Sequence, residues 1–273
     1  VSGFFTAPGA ASQPGNPNAT LESIGFAANG TPTQLTASAT ANVKGSYATI
    51  GTTTSAWCGF FLHIGVASAS TARFLLDIRI GGATVILPDF FVMPGTNIAG
   101  RVYVPLQIPA STLVEGRVQC SSTGSQTISF AMTGSVASAS LAPGFTQATA
   151  LNVDTTNSRP STIDIAETTS LTLPLTQLTA STAATYGAFI AVASASTATP
   201  GTAQHVTPVF ATGASSSEVE FGRMLVNALN TTAGINHGYQ YLSHSVASGT
   251  RLSAGALAAA TGDNIRVGLY GFA

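Results

Sequence analysis

Phe74-Leu75-Leu76-Asp77-Ile78-Arg79-Ile80 decides the fold class. Polar Asp77 and Arg79 alternate with Leu76, Ile78 and Ile80, the period of two expected of a half-buried strand. The same rhythm puts Ile128, Phe130 and Met132 on one face of 127–132, and Ile265, Val267 and Leu269 on one face of 265–270. Elsewhere Val, Ile, Thr, Phe and Tyr recur in short runs. Gly, Pro, Asn and Ser cut them about every 8–12 residues, the spacing of a sandwich or barrel. Leu252 to Thr261 is Ala-rich and reads as a helix on propensity alone. Comparison with the first half argues for a strand instead.

That comparison exposes an internal repeat, which can decide an architecture. Val246-Ala247-Ser248-Gly249-Thr250-Arg251-Leu252 matches Ile108-Pro109-Ala110-Ser111-Thr112-Leu113-Val114 at an offset of 138, and Tyr241 falls opposite Tyr103 at the same offset. Ile265, Val267, Leu269 and Gly271 match Ile128, Phe130, Met132 and Gly134 at 137. Tyr186-Gly187-Ala188-Phe189 aligns with Cys58-Gly59-Phe60-Phe61 at 128, and the string Val-Ala-Ser-Ala-Ser-Thr-Ala occurs at both 66–72 and 192–198. Four blocks in one order predict an all-β chain of two tandem jelly-roll-like antiparallel β-sandwich domains. The expected boundaries are an extended N-terminal arm over 1–30, a first domain over 31–140, a linker over 141–160 and a second, divergent domain over 161–273. Pro8, Gly9, Pro14, Gly15 and Pro17 keep the arm from regular pairing. Phe4 and Phe5 are its candidate anchors in a groove on a neighbouring subunit, with a disordered tail as the alternative reading of the arm.

Composition narrows the functional classes. Charged residues make up 7% of the 273, against a usual share of about a quarter. Lys44 is the single lysine, and eight arginines face ten acids for a net charge of −1. A nucleic-acid partner needs clustered positive charge to neutralise phosphates, and an anionic membrane surface needs the same; neither is expected. The apolar run Phe60 to Ala67 is broken by His63 and is far shorter than the roughly 20 residues of a spanning helix. Val1-Ser2-Gly3-Phe4-Phe5 shows neither the basic nor the apolar segment of a secretion signal. A neutral surface of Ser, Thr, Asn and Gln suits a protein that other protein covers, because few charges are desolvated on assembly.

The strand-forming stretches resemble a β-sandwich module of tailed-bacteriophage virion proteins. In that module a D-I-G-x-G strand, a V-I-x-P-x-L-L strand and an I-P-A-G-x-R-I-A-A-R-x-Q strand recur. The corresponding residues are Asp77-Ile78-Arg79-Ile80-Gly81, Val85-Ile86-Leu87-Pro88-Asp89-Phe90-Phe91, and Ile108-Pro109-Ala110 through Arg117-Val118-Gln119. The likeness covers about 100 residues of the first copy. The second copy lacks an aspartate at the Asp77 position, and its Ser248-Gly249-Thr250 keeps only the turn. Such modules occur in capsid decoration proteins, head fibres and other appendages, so the resemblance implies a fold and a virion setting without choosing among them.

Catalytic motifs are absent: the chain holds no HExxH, CxxC, GxSxG or GxxxxGK. No catalytic residue, metal site or cofactor is expected. His237 and His244, seven apart, would fall on opposite faces of a strand. His63 reads as a hydrogen-bonded core histidine. Glu218 and Glu220 share a strand face, and their plain reading is a solvated face, with a glycosidase pair or a Ca²⁺ site as the sharper one. Asp77 and Arg79 read as a same-face ion pair. Cys58 and Cys120 read as buried free thiols, with a disulfide as the alternative. Trp57 reads as core packing. Tyr239 and Tyr241 share one strand face and are the candidate sugar-stacking pair.

The expected function is therefore that of a structural virion protein at the capsid surface. A decoration or cement protein that binds the major capsid protein or other virion proteins comes first, self-associating as a homotrimer to gain area and avidity. The alternative is a head fibre or spike whose second domain recognises a host glycan. An enzyme would need convergent acids, and the ten acids here are scattered.

Overall fold

The computed structural model describes residues 20–68, 72–92, 100–136, 144–170, 173–195, 204–228, 237–261 and 264–273. All regular structure among them is β, paired antiparallel except for one short contact, as the sequence pattern requires. The chain divides into two compact units between Thr149 and Ala150.

In the first unit the strands are β1 (Leu21–Ile24), β2 (Thr33–Thr36), β3 (Ala48–Thr52), β4 (Trp57–Ala67), β5 (Phe74–Ile80), β6 (Thr84–Val92), β7 (Gly100–Val104), β8 (Leu113–Cys120) and β9 (Thr127–Val136). One sheet runs β2-β9-β4-β7, with β1 also on β9; the other runs β3-β8-β5-β6. Apart from β1–β2 and β5–β6, successive strands pass from sheet to sheet, in the order of a jelly roll. Alternation fills the space between the sheets: Phe60, Leu62 and Ile64 from β4, Ile128, Phe130 and Met132 from β9, and Leu76 and Ile78 from β5 are buried. Each such side chain contributes about 1.5–3 kcal/mol. Trp57 crosses Gly134 on β9, where a Cβ would lie within the indole.

The second unit holds β10 (Ala148–Leu151), β11 (Ile165–Thr168), β12 (Thr176–Thr179), β13 (Ala188–Ala195), β14 (Gln204–Thr212), β15 (Val219–Arg223), β16 (Val226–Ala228), β17 (His237–Leu242), β18 (Leu252–Ala258) and β19 (Asn264–Phe272). Its pairings repeat the first unit's, with β11-β19-β13-β17 on one side and β12-β18-β14 followed by β15 or β16 on the other. A short parallel pairing of β11 with β18 joins the two sets. Its core gathers Tyr186, Phe189, Phe210, Leu252, Val267 and Leu269. The Ala-rich stretch from Leu252 is strand β18, as the repeat argued.

The strand that opens each unit is split. β1 and β2 both pair with β9, and residues 25–32 loop out between them, closed by the Phe26–Pro32 bridge. β10 and β11 both pair with β19, and the loop between them closes at the Asp154–Arg159 bridge. Each loop leaves its strand on a left-handed residue, Gly25 (φ 85°) or Asn152 (φ 63°). Regular pairing thus starts at Leu21, ahead of the boundary drawn at 31, because the Pro/Gly run ends before it. The stretch 141–160 likewise contains β10 and the Asp154–Arg159 turn.

Candidate functional site

The three motif segments of the first unit converge on one buried carboxylate. Asp77 on β5 is 1% exposed. It accepts from Lys44 Nζ at 2.8 and 2.9 Å, from Arg117 Nε on β8 at 2.8 Å, and from the Asp89 backbone N–H on β6 at 2.8 Å. Lys44 also reaches Asp89 at 2.7 Å. Asp89 sits at φ 49° in a bulge that follows Pro88. An outer strand tolerates a proline without an N–H at such a bulge. Burial alone would lower the Lys44 ammonium, but its two aspartates hold it above the usual lysine value. Tyr47 lies under both neighbouring guanidiniums, with Arg79 at 3.7 Å and Arg117 at 4.4 Å from its ring centroid. Burial, then the Asp77 charge, pushes its phenol up. Arg79 pairs with Glu115 of β8.

Asp77 and Arg79 therefore do not pair with each other; each finds its partner across the sheet. Residues directly opposite on neighbouring strands stand closer than residues two apart on one strand. The cluster ties the segment carrying Lys44 and Tyr47 to three strands. Beside it runs a groove of about 520 Å³ lined by Gln34, Thr36, Ser38, Lys44, Ser46, Tyr47 and Ser125 among others.

A second arrangement lies on the outward face of the β1-β9-β4-β7 sheet. Ser23, Thr133, Phe61 and Tyr103 form one row across four strands, and Ala131, His63 and Arg101 lie in the next. The Thr133 hydroxyl is 2.9 Å from His63 Nε2 and 2.9 Å from Ser23 Oγ. Phe61 meets Tyr103 at 5.2 Å between ring centroids, and Arg101 lies 3.8 Å over Phe61. Phe26, 46% exposed, adjoins His63. Burial and then the Arg101 charge lower the His63 imidazole and so favour its neutral form. His63 is hydrogen-bonded as expected, but it is half-buried on this outer face rather than in the core.

Tyr239 and Tyr241 stand on β17 opposite Val192 and Ile190. They are half-buried, and burial raises the Tyr241 phenol. The structure places them at the positions that Arg101 and Tyr103 hold on β7. Phe4, Phe5 and part of the repeated string at 66–72 and 192–198 lie outside the described residues. Glu218 and Glu220 do not converge: Glu218 pairs with Arg251, and Glu220 with Arg223. His244 lies beyond β17, stacked on Phe221 at 4.9 Å, so the seven-residue spacing to His237 does not fall within one strand. Cys58 and Cys120 are both free and buried. Trp57 is buried and donates its indole N–H to Glu22 at 2.9 Å. Among the described residues no three His, Cys, Asp or Glu side chains gather as metal ligands.

No protein-family model matches the chain, and no curated protein does. Among solved structures, STIV MCP, a viral major capsid protein, aligns over 92% of this chain and 96% of its own at 9% identity, with a TM-score of 0.35. The N-terminal CBM22 tandem domain of Paenibacillus barcinonensis Xyn10C aligns over 94% and 92% at 10% identity, with a TM-score of 0.24. Likenesses this distant carry no argument about function.

Sequence reasoning missed the row through Phe61, Thr133 and His63. Its signal was there: between core residues Phe60, Leu62 and Ile64, the outward positions of β4 hold a phenylalanine and a histidine rather than small polar residues.

Proposed function

We propose that the protein is a non-enzymatic structural component of a tailed-phage virion, a decoration protein seated on the capsid surface and self-associated as a trimer. The observation that carries this reading is the internal pairing of charge. Lys44, Arg79, Arg117, Arg223, Arg251 and Arg266 each hold a carboxylate of the same chain. Most acids of the described residues are thus held by the chain's own cations, and with 7% charged residues in all the surface left over is poor in charge. A neutral Ser/Thr surface loses little when covered by capsid protein. Jelly rolls serve capsids and lectins alike, so the fold alone leaves the role open. The sequence resemblance of the first copy to phage virion modules supports the setting.

Immunogold labelling of virions with antibody to this protein tests the reading. Label in a regular lattice over the head is the expected result. Label confined to sparse projections or the tail overturns the decoration role, and absence of label from virions overturns the virion setting.

A further inference from the structure

The outward face of the β1-β9-β4-β7 sheet has a composition that neither core packing nor the charge cluster explains. We propose that Ser23, Phe26, His63, Arg101, Tyr103 and Thr133 form a binding face for a carboxylated pyranoside, an acidic glycan unit of the uronate or sialate kind.

Four observations carry this. Aromatic rings lie on both sides of an uncharged hydrogen-bonding centre: Tyr103 and Phe61 toward β7, Phe26 toward the loop after β1, and the Ser23–Thr133–His63 chain between them. A pyranose presents an apolar C–H face edged by hydroxyls, and this alternation complements it. A protein-docking patch would put its apolar anchors at the centre and its polar groups at the rim, the reverse order. Neighbouring strands lie about 4.8 Å apart, so the row from Ser23 to Tyr103 spans about 14 Å, room for a short oligosaccharide.

His63 supplies the second argument. In the neutral form its imidazole keeps one donor and one acceptor, and with Nε2 on Thr133 the other nitrogen remains to meet a ligand hydroxyl. Arg101 supplies the third. Its guanidinium lies flat on Phe61, and among the described residues no carboxylate is within ion-pair reach of it. Stacking occupies the face of a guanidinium and leaves its edge N–H groups to grip a carboxylate. The fourth is the contrast between the units. Where the first has Phe61, His63 and Thr133, the second has Ile190, Val192 and Tyr270, all buried. The framework is shared, but only the first unit combines half-exposed rings with a polar chain on this face. The proposal thus places the sugar face in the first unit rather than at Tyr239 and Tyr241 of the second.

Saturation-transfer NMR and calorimetry on the full chain test the proposal with three probes: 3′-sialyllactose, tetragalacturonate and neutral lactose. At least one acidic probe is expected to bind with a Kd of about 1 mM or tighter, with lactose at least tenfold weaker. The His63 imidazole resonances should shift on binding. Tyr103→Ala and Arg101→Gln should each lower affinity tenfold or more, and Tyr241→Ala should leave it unchanged. Phe26→Ala, at an exposed position, serves as a second face variant should Tyr103→Ala fail to fold. Failure of both acidic probes to bind overturns the proposal. Equal affinity for lactose overturns the role of Arg101, and loss of binding on Tyr241→Ala alone moves the site to the second unit. None of these outcomes bears on where the protein sits on a virion.

Discussion

The Thr182 hydroxyl holds in the second unit the place that Thr53 holds in the first. Thr53 Oγ1 donates to the Pro109 carbonyl at 2.7 Å and accepts from the Thr112 N–H at 3.0 Å. Thr182 Oγ1 donates to the Ala247 carbonyl at 2.7 Å and accepts from the Thr250 N–H at 3.1 Å. Both threonines are buried, while the turn residues they hold reach the surface. Thr53→Val and Thr182→Val keep the shape and remove both bonds. Each is expected to destabilise its unit by about 1–3 kcal/mol, two hydrogen bonds at about 0.5–1.5 kcal/mol net each. Urea unfolding measures it; a shift below about 0.5 kcal/mol in both variants would mean the hydroxyls only fill space.

The turn these threonines hold contains a natural comparison. Ser111 has φ 55° and its counterpart Gly249 has φ 79°. A left-handed conformation costs a non-glycine residue about 1–2 kcal/mol, whereas glycine loses about 0.5–1 kcal/mol of chain entropy on ordering. Ser111→Gly is therefore expected to stabilise the first unit by up to about 1 kcal/mol, and Gly249→Ser to destabilise the second by a similar amount. Opposite shifts in thermal midpoint check the pair. Destabilisation by Ser111→Gly would show that the serine side chain offsets its own strain.

The correspondence of these turns was legible in the chain, because strands and their turns keep register while loops drift. The matches of Ile108 with Val246 and of Gly134 with Gly271 survive in the fold. The β4 block was aligned one residue out. Glycines at 59 and 187 drew Cys58 onto Tyr186, whereas Trp57 is the true counterpart: Trp57 bridges Ile108 and lies on Gly134, and Tyr186 bridges Val246 and lies on Gly271. An aromatic exchange of indole for phenol hid the match. The Asp77 cluster was illegible for a different reason. Its motifs were visible, but Lys44 comes from 33 positions upstream, and nothing in a strand pattern says which distant segment will lie over its polar face. The outer aromatic row was half legible: alternation put Tyr239 and Tyr241 on one face of β17, but strand pairing, which brings Thr133 beside Phe61 and His63, is not written in any one strand.

Asp77 should be the most sensitive charge in the protein. Asp77→Asn keeps the volume and withdraws the shared acceptor of Lys44 and Arg117. Removing one member of a buried ionic group typically costs about 3–5 kcal/mol. Arg79→Gln breaks a more exposed pair with Glu115 and should cost clearly less, because solvent screens such a pair. The two variants share a strand but differ in burial and in the number of partners lost, so a chemical denaturation series on both ranks the two ties. Equal losses would mean that the buried, multiply bonded carboxylate contributes no more than the exposed pair.

Glu22 makes stability depend on acid. Burial by itself would raise its carboxyl, but the Thr54 N–H, the Trp57 indole N–H and the Ser55 N–H all donate to it and hold it below the usual 4.5. A carboxylate with a depressed folded value stabilises the protein above its unfolded value, and that contribution disappears as pH falls through the folded value. Glu22→Gln removes this titration while leaving the other carboxylates in place. The variant should be less stable than the parent at pH 7, and the gap should narrow as pH drops below about 4.5. Urea midpoints of both proteins across pH 3 to 7 provide the measurement. A gap that stays constant would show that Glu22 contributes through packing on Trp57 alone, and a gap that widens in acid would reverse the direction of its shift.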